Sequence, residues 1–94
     1  MEFELGKVVI TAGLDSFMRE DVEHAIAVVD CFEMYKNQNW GVTCKEDCKL
    51  NDSAIKNNDD RIVAKYKLNN FDRYIFIITE WDRSYTTLMF CEEY

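Results

Sequence analysis

Residues 61–91 constrain the fold more than any other stretch. They read as three apolar runs, 61–68, 74–79 and 86–91, parted by short polar corners at Asn69 and Asn70 and at Asp82, Arg83 and Ser84. Ile62, Ala64, Tyr66 and Leu68 alternate with Arg61, Val63, Lys65 and Lys67, the period of two of a strand with one buried face. Run 74–79 is apolar on both faces, as a central strand is. A parallel connection needs a crossover of a dozen or more residues, and these corners are far shorter, so the three strands form an antiparallel meander.

The first 60 residues supply the cover. Residues 7–11 (KVVIT) are β-branched and read as a first strand, whose pairing position the pattern leaves open. Ala12, Gly13 and Leu14 turn the chain. Asp15 and Ser16 then offer N-caps for a helix of about 15–20 residues running toward Tyr35. Its apolar spacing, Val22, Ala25, Val29 and Phe32, defines the inward face. Asn37, Asn39 and Gly41 end the helix, and Trp40 is expected to pin that turn to the core. Thr43 with Glu46 three residues on predicts a capping box and a second helix over 45–55, Leu50 and Ala54 facing inward. The expected fold class is α+β: two helices on one face of a mainly antiparallel four-stranded sheet, in one domain spanning residues 1–94.

A chain of 94 residues buries about 60–65% of its unfolded surface, and six Phe, five Tyr and two Trp are enough to fill a core. No apolar run is long enough to span a membrane. The opening MEFELGK is acidic and lacks the basic and apolar regions of a signal peptide, so a cytoplasmic location is expected. The net charge is −7, and it is uneven: residues 1–60 hold 13 acids and 6 bases, residues 61–94 five of each. Direct nucleic-acid binding is disfavoured without a Lys/Arg cluster. A basic partner surface suits the acidic half, although solubility alone also accounts for this charge. The four cysteines are expected to be free thiols in that compartment. The alternative is a zinc site at Cys44 and Cys48, one helical turn apart, completed by His24 or Cys31; with no second pair, no metal and no cofactor are expected.

Four carboxylates, Glu20, Glu23, Asp30 and Glu33, fall within an arc of about 140° if one helix carries them all. Such a row imitates a phosphate backbone and would occupy a basic channel; a solvated helix face is the plainer reading. At the second corner, Arg83 would clamp a phosphate or carboxylate beside Asp82 and Ser84. Otherwise the corner is structural, with Asp82 accepting backbone N–H groups and Arg83 paired with Glu80 or with Glu92 and Glu93. Trp81, between Glu80 and Asp82, is a candidate exposed anchor, the alternative being that it packs on the sheet. His24 is read as a helix-surface residue, in no position to serve Ser84 as a base. Glycines at 6, 13 and 41 build neither a P-loop nor a dinucleotide fingerprint.

The C-terminal block EWDRSYTTLMFCEEY resembles that of a family of short proteins carried by plasmids, phages and other mobile elements, with the pattern I-T-E-x-D-R-S-x-T-T-x-L-L-P-E-E-Y. Trp40, Gly41, Asp47, Leu50, Asn51, Asp52, Arg61, Ile62 and Tyr66 extend the resemblance over about residues 39–94. It implies a mobile-element origin and no particular reaction. Where the family carries His-x-x-Gly-Asp-Trp-Gly, this chain has Tyr35 for His and Asn39 for Asp; if that pair serves the family as general acid and base, this chain lacks both proton-transfer groups near neutral pH. Cys91 stands where the family has Pro, and is expected to let the last strand run on.

These readings converge on a non-enzymatic interaction protein. Its expected role is inhibition of a basic host protein, a defence nuclease such as a CRISPR effector or restriction enzyme, through Glu20, Glu23, Asp30, Glu33, Trp81, Asp82 and Arg83. An enzyme or ligand-binding protein built on the Asp82-Arg83-Ser84 corner is the alternative. An exposed sheet edge would permit a homodimer.

Overall fold

A computed structural model describes residues 3–94. In chain order its elements are β1 (Lys7–Ile10), α1 (Ala12–Glu20), α2 (Val22–Lys36), α3 (Lys45–Asn57), β2 (Ile62–Lys67), β3 (Tyr74–Thr79), β4 (Tyr85–Phe90) and a 3-10 turn (Cys91–Glu93). The fold is α+β. The meander forms as its corners require, with Ile62 opposite Thr79 and Ile75 opposite Phe90. β1 adds in parallel beside β4, Lys7 opposite Tyr85 and Ile10 opposite Leu88, so the sheet is mixed with the order β1-β4-β3-β2. That parallel pair is possible because α1, α2, α3, β2 and β3 lie between its strands, ample chain for a crossover.

One face of the sheet is the core. Ile62, Ala64 and Tyr66 of β2, Ile75, Ile77 and Thr79 of β3, and Thr86, Leu88 and Phe90 of β4 are all buried. The apolar members join Leu14 and Phe17 of α1, Ala27, Val28, Cys31 and Tyr35 of α2, Trp40, and Ala54 and Ile55 of α3 in one cluster. The period of two in β2 and the anchoring of Trp40 are as expected. Across the core runs a chain of hydroxyls. Thr86 donates to Leu5 O (2.7 Å), so Thr79 donates to Thr86 (2.7 Å) and Tyr35 to Thr79 (2.6 Å). Each buried O–H gives one bond and takes what remains, which satisfies the whole line.

The described residues form three α-helices and not two, because the expected long helix breaks at Asp21. Thr11 caps α1, its hydroxyl accepting from Leu14 N (3.4 Å), so Asp15 and Ser16 sit inside the helix. Asp21 is extended (φ −159°, ψ 142°) and its carboxylate accepts from Glu23 N (2.9 Å), making it the N-cap of α2. Aspartate competes well for that position. His24 then seals the joint: its ring stacks on Phe17 (3.9 Å between centroids, 1° between planes) and its Nδ1–H donates to Phe17 O (2.8 Å), one of the last carbonyls of α1. It is not the free surface residue that its place in the sequence suggests.

The inward face of α2 also differs from expectation. Ala27, Val28, Cys31 and Tyr35 enter the core, whereas Val22 and Val29 are exposed. The helix is apolar nearly all round, so spacing alone selects no single stripe. In α3, Ala54 is buried but Leu50 is exposed, and Asn51 takes the inward position beside it. Asn51 Nδ2 donates to Val63 O (2.9 Å) and its Oδ1 accepts from Val63 N (3.2 Å), capping the outer edge of β2. Thr43 extends that cap by accepting from Lys65 N (2.8 Å), and Val42 N donates to Lys65 O (2.9 Å). Thr43 is thus spent on the sheet; Cys44 is the N-cap of α3, with no side-chain bond, and the expected capping box is not made.

The last strand stops at Phe90 instead of running on through Cys91. The Glu93 carboxylate curls back to accept from Phe90 N (2.8 Å) and Thr11 Oγ1 (2.8 Å), placing an anion at the N-terminal end of α1, where the helix dipole favours it. Glu92 pairs with Arg73 (3.0 Å), whose guanidinium lies 3.6 Å over the Phe90 ring. Tyr94 packs edge-on against Phe76 and accepts from Arg61 (3.0 Å). The closing Glu-Glu-Tyr is therefore a structural clasp.

Candidate interaction surface

The seven predicted contact residues separate into two groups. Glu23, Asp30 and Glu33 lie on α2, all exposed, within an arc of about 80°. Glu20 is exposed too, but it ends α1, and the break at Asp21 takes it out of that arc. Trp81, Asp82 and Arg83 sit in the corner between β3 and β4. Asn69, Asn70 and Phe71, which share a groove of about 210 Å³ with Glu23, Ile26 and Asp30, precede the opposite end of β3. Glu23 and Asp30 therefore lie toward the end of β3 away from the corner, a strand about 17 Å long, whereas Glu33 lies near Tyr35, whose hydroxyl meets Thr79 at the corner end.

On α2 the carboxylates do not form an unbroken row. Val22, Ile26 and Val29 emerge among them, 70%, 53% and 49% exposed, spaced i, i+4, i+7 on the outward face. Ile26 falls between Asp30 and Glu33 around the helix. Glu33 is bridged by Lys36 (2.7 Å) and Glu20 lies 3.8 Å from His24 Nδ1, whereas Glu23 and Asp30 make no ion pair with any described residue. The outward face of α2 is thus an apolar stripe with two unneutralised carboxylates along one flank. The expected core face concealed it, since Val22 and Val29 are needed inside only if α2 is turned the other way. A surplus of apolar residues, more than one buried face can use, was the available signal.

The corner is built around Arg83, and the guanidinium faces inward. The residue is 8% exposed, with φ +60°. Nη1 donates to the carbonyls of Asp60 (2.7 Å), Glu80 (3.2 Å) and Trp81 (3.2 Å), and Nη2 to those of Ala54 (3.0 Å) and Asp59 (3.2 Å). Among the described residues the cation has no carboxylate partner; it gathers the C-terminal end of α3, where carbonyl dipoles favour positive charge, and ties it to the corner. Neither Glu80 nor the Glu92–Glu93 tail reaches it through a carboxylate, and it leaves the accessible set. Asp82 accepts from Ser84 N (3.0 Å), and hydrogen bonding from Ser84 holds its carboxyl below the usual range. Trp81 is 67% exposed and remains a surface aromatic.

Other reactive side chains are committed elsewhere. Burial pushes the Cys31 thiol up to about 11, with the Asp30 charge adding to it, and burial also raises Cys48 and Cys91. Thiols held protonated in this way are poor nucleophiles. All four cysteines are free. Among the described residues no cluster of three or more His, Cys, Asp or Glu is placed to hold a metal ion. Tyr35 is buried against Thr79, and Asn39 spends its side chain on Gly41 N (3.1 Å) and its carbonyl on Tyr66 Oη (2.7 Å). No described helix is long and apolar enough to cross a membrane. Comparison with family models, with characterised proteins and with solved structures found no match.

Proposed function

We propose that this chain is a non-enzymatic binding protein that docks the outward face of α2 onto a basic protein surface. The observation that carries the reading is the exposed stripe Val22, Ile26 and Val29 flanked by Glu23 and Asp30. Apolar surface grouped in this way and rimmed by polar groups marks protein contact sites. The carboxylates select a cationic rim on the partner and speed encounter, while the apolar centre supplies the area that holds the complex. The resemblance to mobile-element proteins makes a nucleic-acid-handling defence enzyme the favoured partner class, its basic channel being the surface occupied. A binding role is supported further by the inward-turned Arg83, which leaves the corner without an exposed guanidinium to clamp an anion.

The test is capture from host lysate on immobilised protein, at low salt and at about 0.5 M salt, where exposed charges are screened within a few ångström. A specific partner retained at low salt is expected to be lost with the Glu23→Lys, Asp30→Lys double variant. Equal retention by that variant would remove the proposal.

A further inference from the structure

The two edges of the sheet are treated differently. At β2, Asn51, Val42 and Thr43 occupy the backbone groups of Val63 and Lys65. At β1 nothing similar occurs. Lys7 N donates to Ser84 O (3.1 Å) and Thr11 N to Leu88 O (3.1 Å), so Lys7, Val9 and Thr11 direct their backbone groups to β4. Alternation along the strand then turns the N–H and C=O of Val8 and Ile10 outward, where no described residue meets them. Val8, Val9 and Ile10 are also exposed, 44%, 37% and 38%, on both faces of that edge. The space beside it is open. α1 turns back onto α2 and β4, and Leu5 passes under the sheet to accept from Thr86.

We infer that a second copy of this chain pairs with β1 in antiparallel fashion across a twofold axis, joining two sheets into one. The register follows from the outward groups. Val8 pairs with Ile10 of the second copy and Ile10 with its Val8, four backbone hydrogen bonds in all, with Val9 meeting Val9 on the axis. Charge chooses a copy of this chain over the acidic alternative elsewhere on its surface. A twofold contact sets the same patch of surface against itself. β1 carries no acid, and its single base, Lys7, falls opposite Thr11. A self-contact through α2 would instead set Glu23, Asp30 and Glu33 against themselves. Bare edges of this kind are templates for strand addition. This inference does not depend on the partner proposed for α2.

Sedimentation of the purified chain up to about 100 µM is expected to show conversion from monomer to dimer. Val8→Pro removes only an outward donor, a change edge strands tolerate, and is expected to give a folded monomer. In a Cys44→Ser background, Val9→Cys is expected to cross-link under mild oxidation, because a non-hydrogen-bonded pair sets Cα atoms about 4.5 Å apart, within disulfide reach. Val8→Cys, offset by two residues from its equivalent, is not. A chain that stays monomeric, or that binds only an added extended peptide at this edge, overturns the inference. So does a dimer that survives Val8→Pro, or one that cross-links equally at both positions.

Discussion

Replacing Arg83 by Met tests whether the corner is a pin or a site. The guanidinium makes five bonds to carbonyls, and hydrogen bonds to a charged group are worth about 1.5–3 kcal/mol each. The sum overstates the loss. Ala54 O keeps a bond from Asp59 N (3.1 Å) and Glu80 O one from Arg83 N (2.9 Å), neither of which needs the side chain. The carbonyls of Asp59, Asp60 and Trp81 lose their side-chain donor, but they are only partly buried, and water replaces some of it. About 3 kcal/mol is the resulting estimate. A domain of 94 residues has only about 5–14 kcal/mol in total, so the melting temperature should fall by about 12–24 °C. Arg83→Lys keeps the charge, but its compact ammonium cannot span both carbonyl groups, and it should recover less than half of the loss. Urea unfolding of the three proteins at unchanged slope measures this directly. A loss below about 1 kcal/mol for Arg83→Met would show that the guanidinium does not hold α3 to the corner.

Two further outcomes follow from the same packing. Asn51→Leu strips both capping bonds from Val63, and should cost about 1–3 kcal/mol in urea unfolding while raising aggregation through the uncovered β2 edge; an unchanged midpoint would refute the capping role. Tyr35 and Tyr66 are buried and their hydroxyls are raised well above the ordinary tyrosine value, chiefly by desolvation. Above about pH 10 the unfolded chain loses tyrosine protons that the folded chain keeps, so this contribution holds below that pH and falls above it by about 1.4 kcal/mol per pH unit for each tyrosine, adding to a decline that the raised Cys31 thiol begins near pH 9. Tyr35→Phe should remove about 1.4 kcal/mol per pH unit from that slope above about pH 10, and a slope unaltered by the substitution would contradict it.

The meander was legible because period-two alternation and short corners leave one solution, and the structure pairs Ile62 with Thr79 and Ile75 with Phe90 accordingly. The parallel seat of β1 was not, since nothing in KVVIT distinguishes β4 from another edge. The break at Asp21 was hidden because it uses neither Gly nor Pro; a single Asp N-cap outweighs helix continuation once His24 can close the joint on Phe17. Leu50 and Asn51 show tertiary demand overriding hydrophobicity: an unpaired strand edge needs an amide more than the core needs another leucine. At the candidate surface, the acids Glu23 and Asp30 could be read in advance, whereas the exposure of Trp81 could not, since a Trp between two acids also suits packing on the sheet. The apolar stripe between the acids could not, because an all-round apolar helix hides which face is surplus.

The central claim is that an apolar stripe, and not carboxylates alone, holds the partner of α2. Ile26→Glu separates the two ideas, because it removes the middle of the stripe while adding a carboxylate to an exposed position that should alter stability by no more than about 0.5 kcal/mol. Retention of the captured partner, compared between wild-type and Ile26→Glu protein at matched salt, is the measurement. The account predicts at least about a tenfold loss of affinity, the effect of about 1.4 kcal/mol. Binding that is unchanged or tightened by the added charge would contradict it.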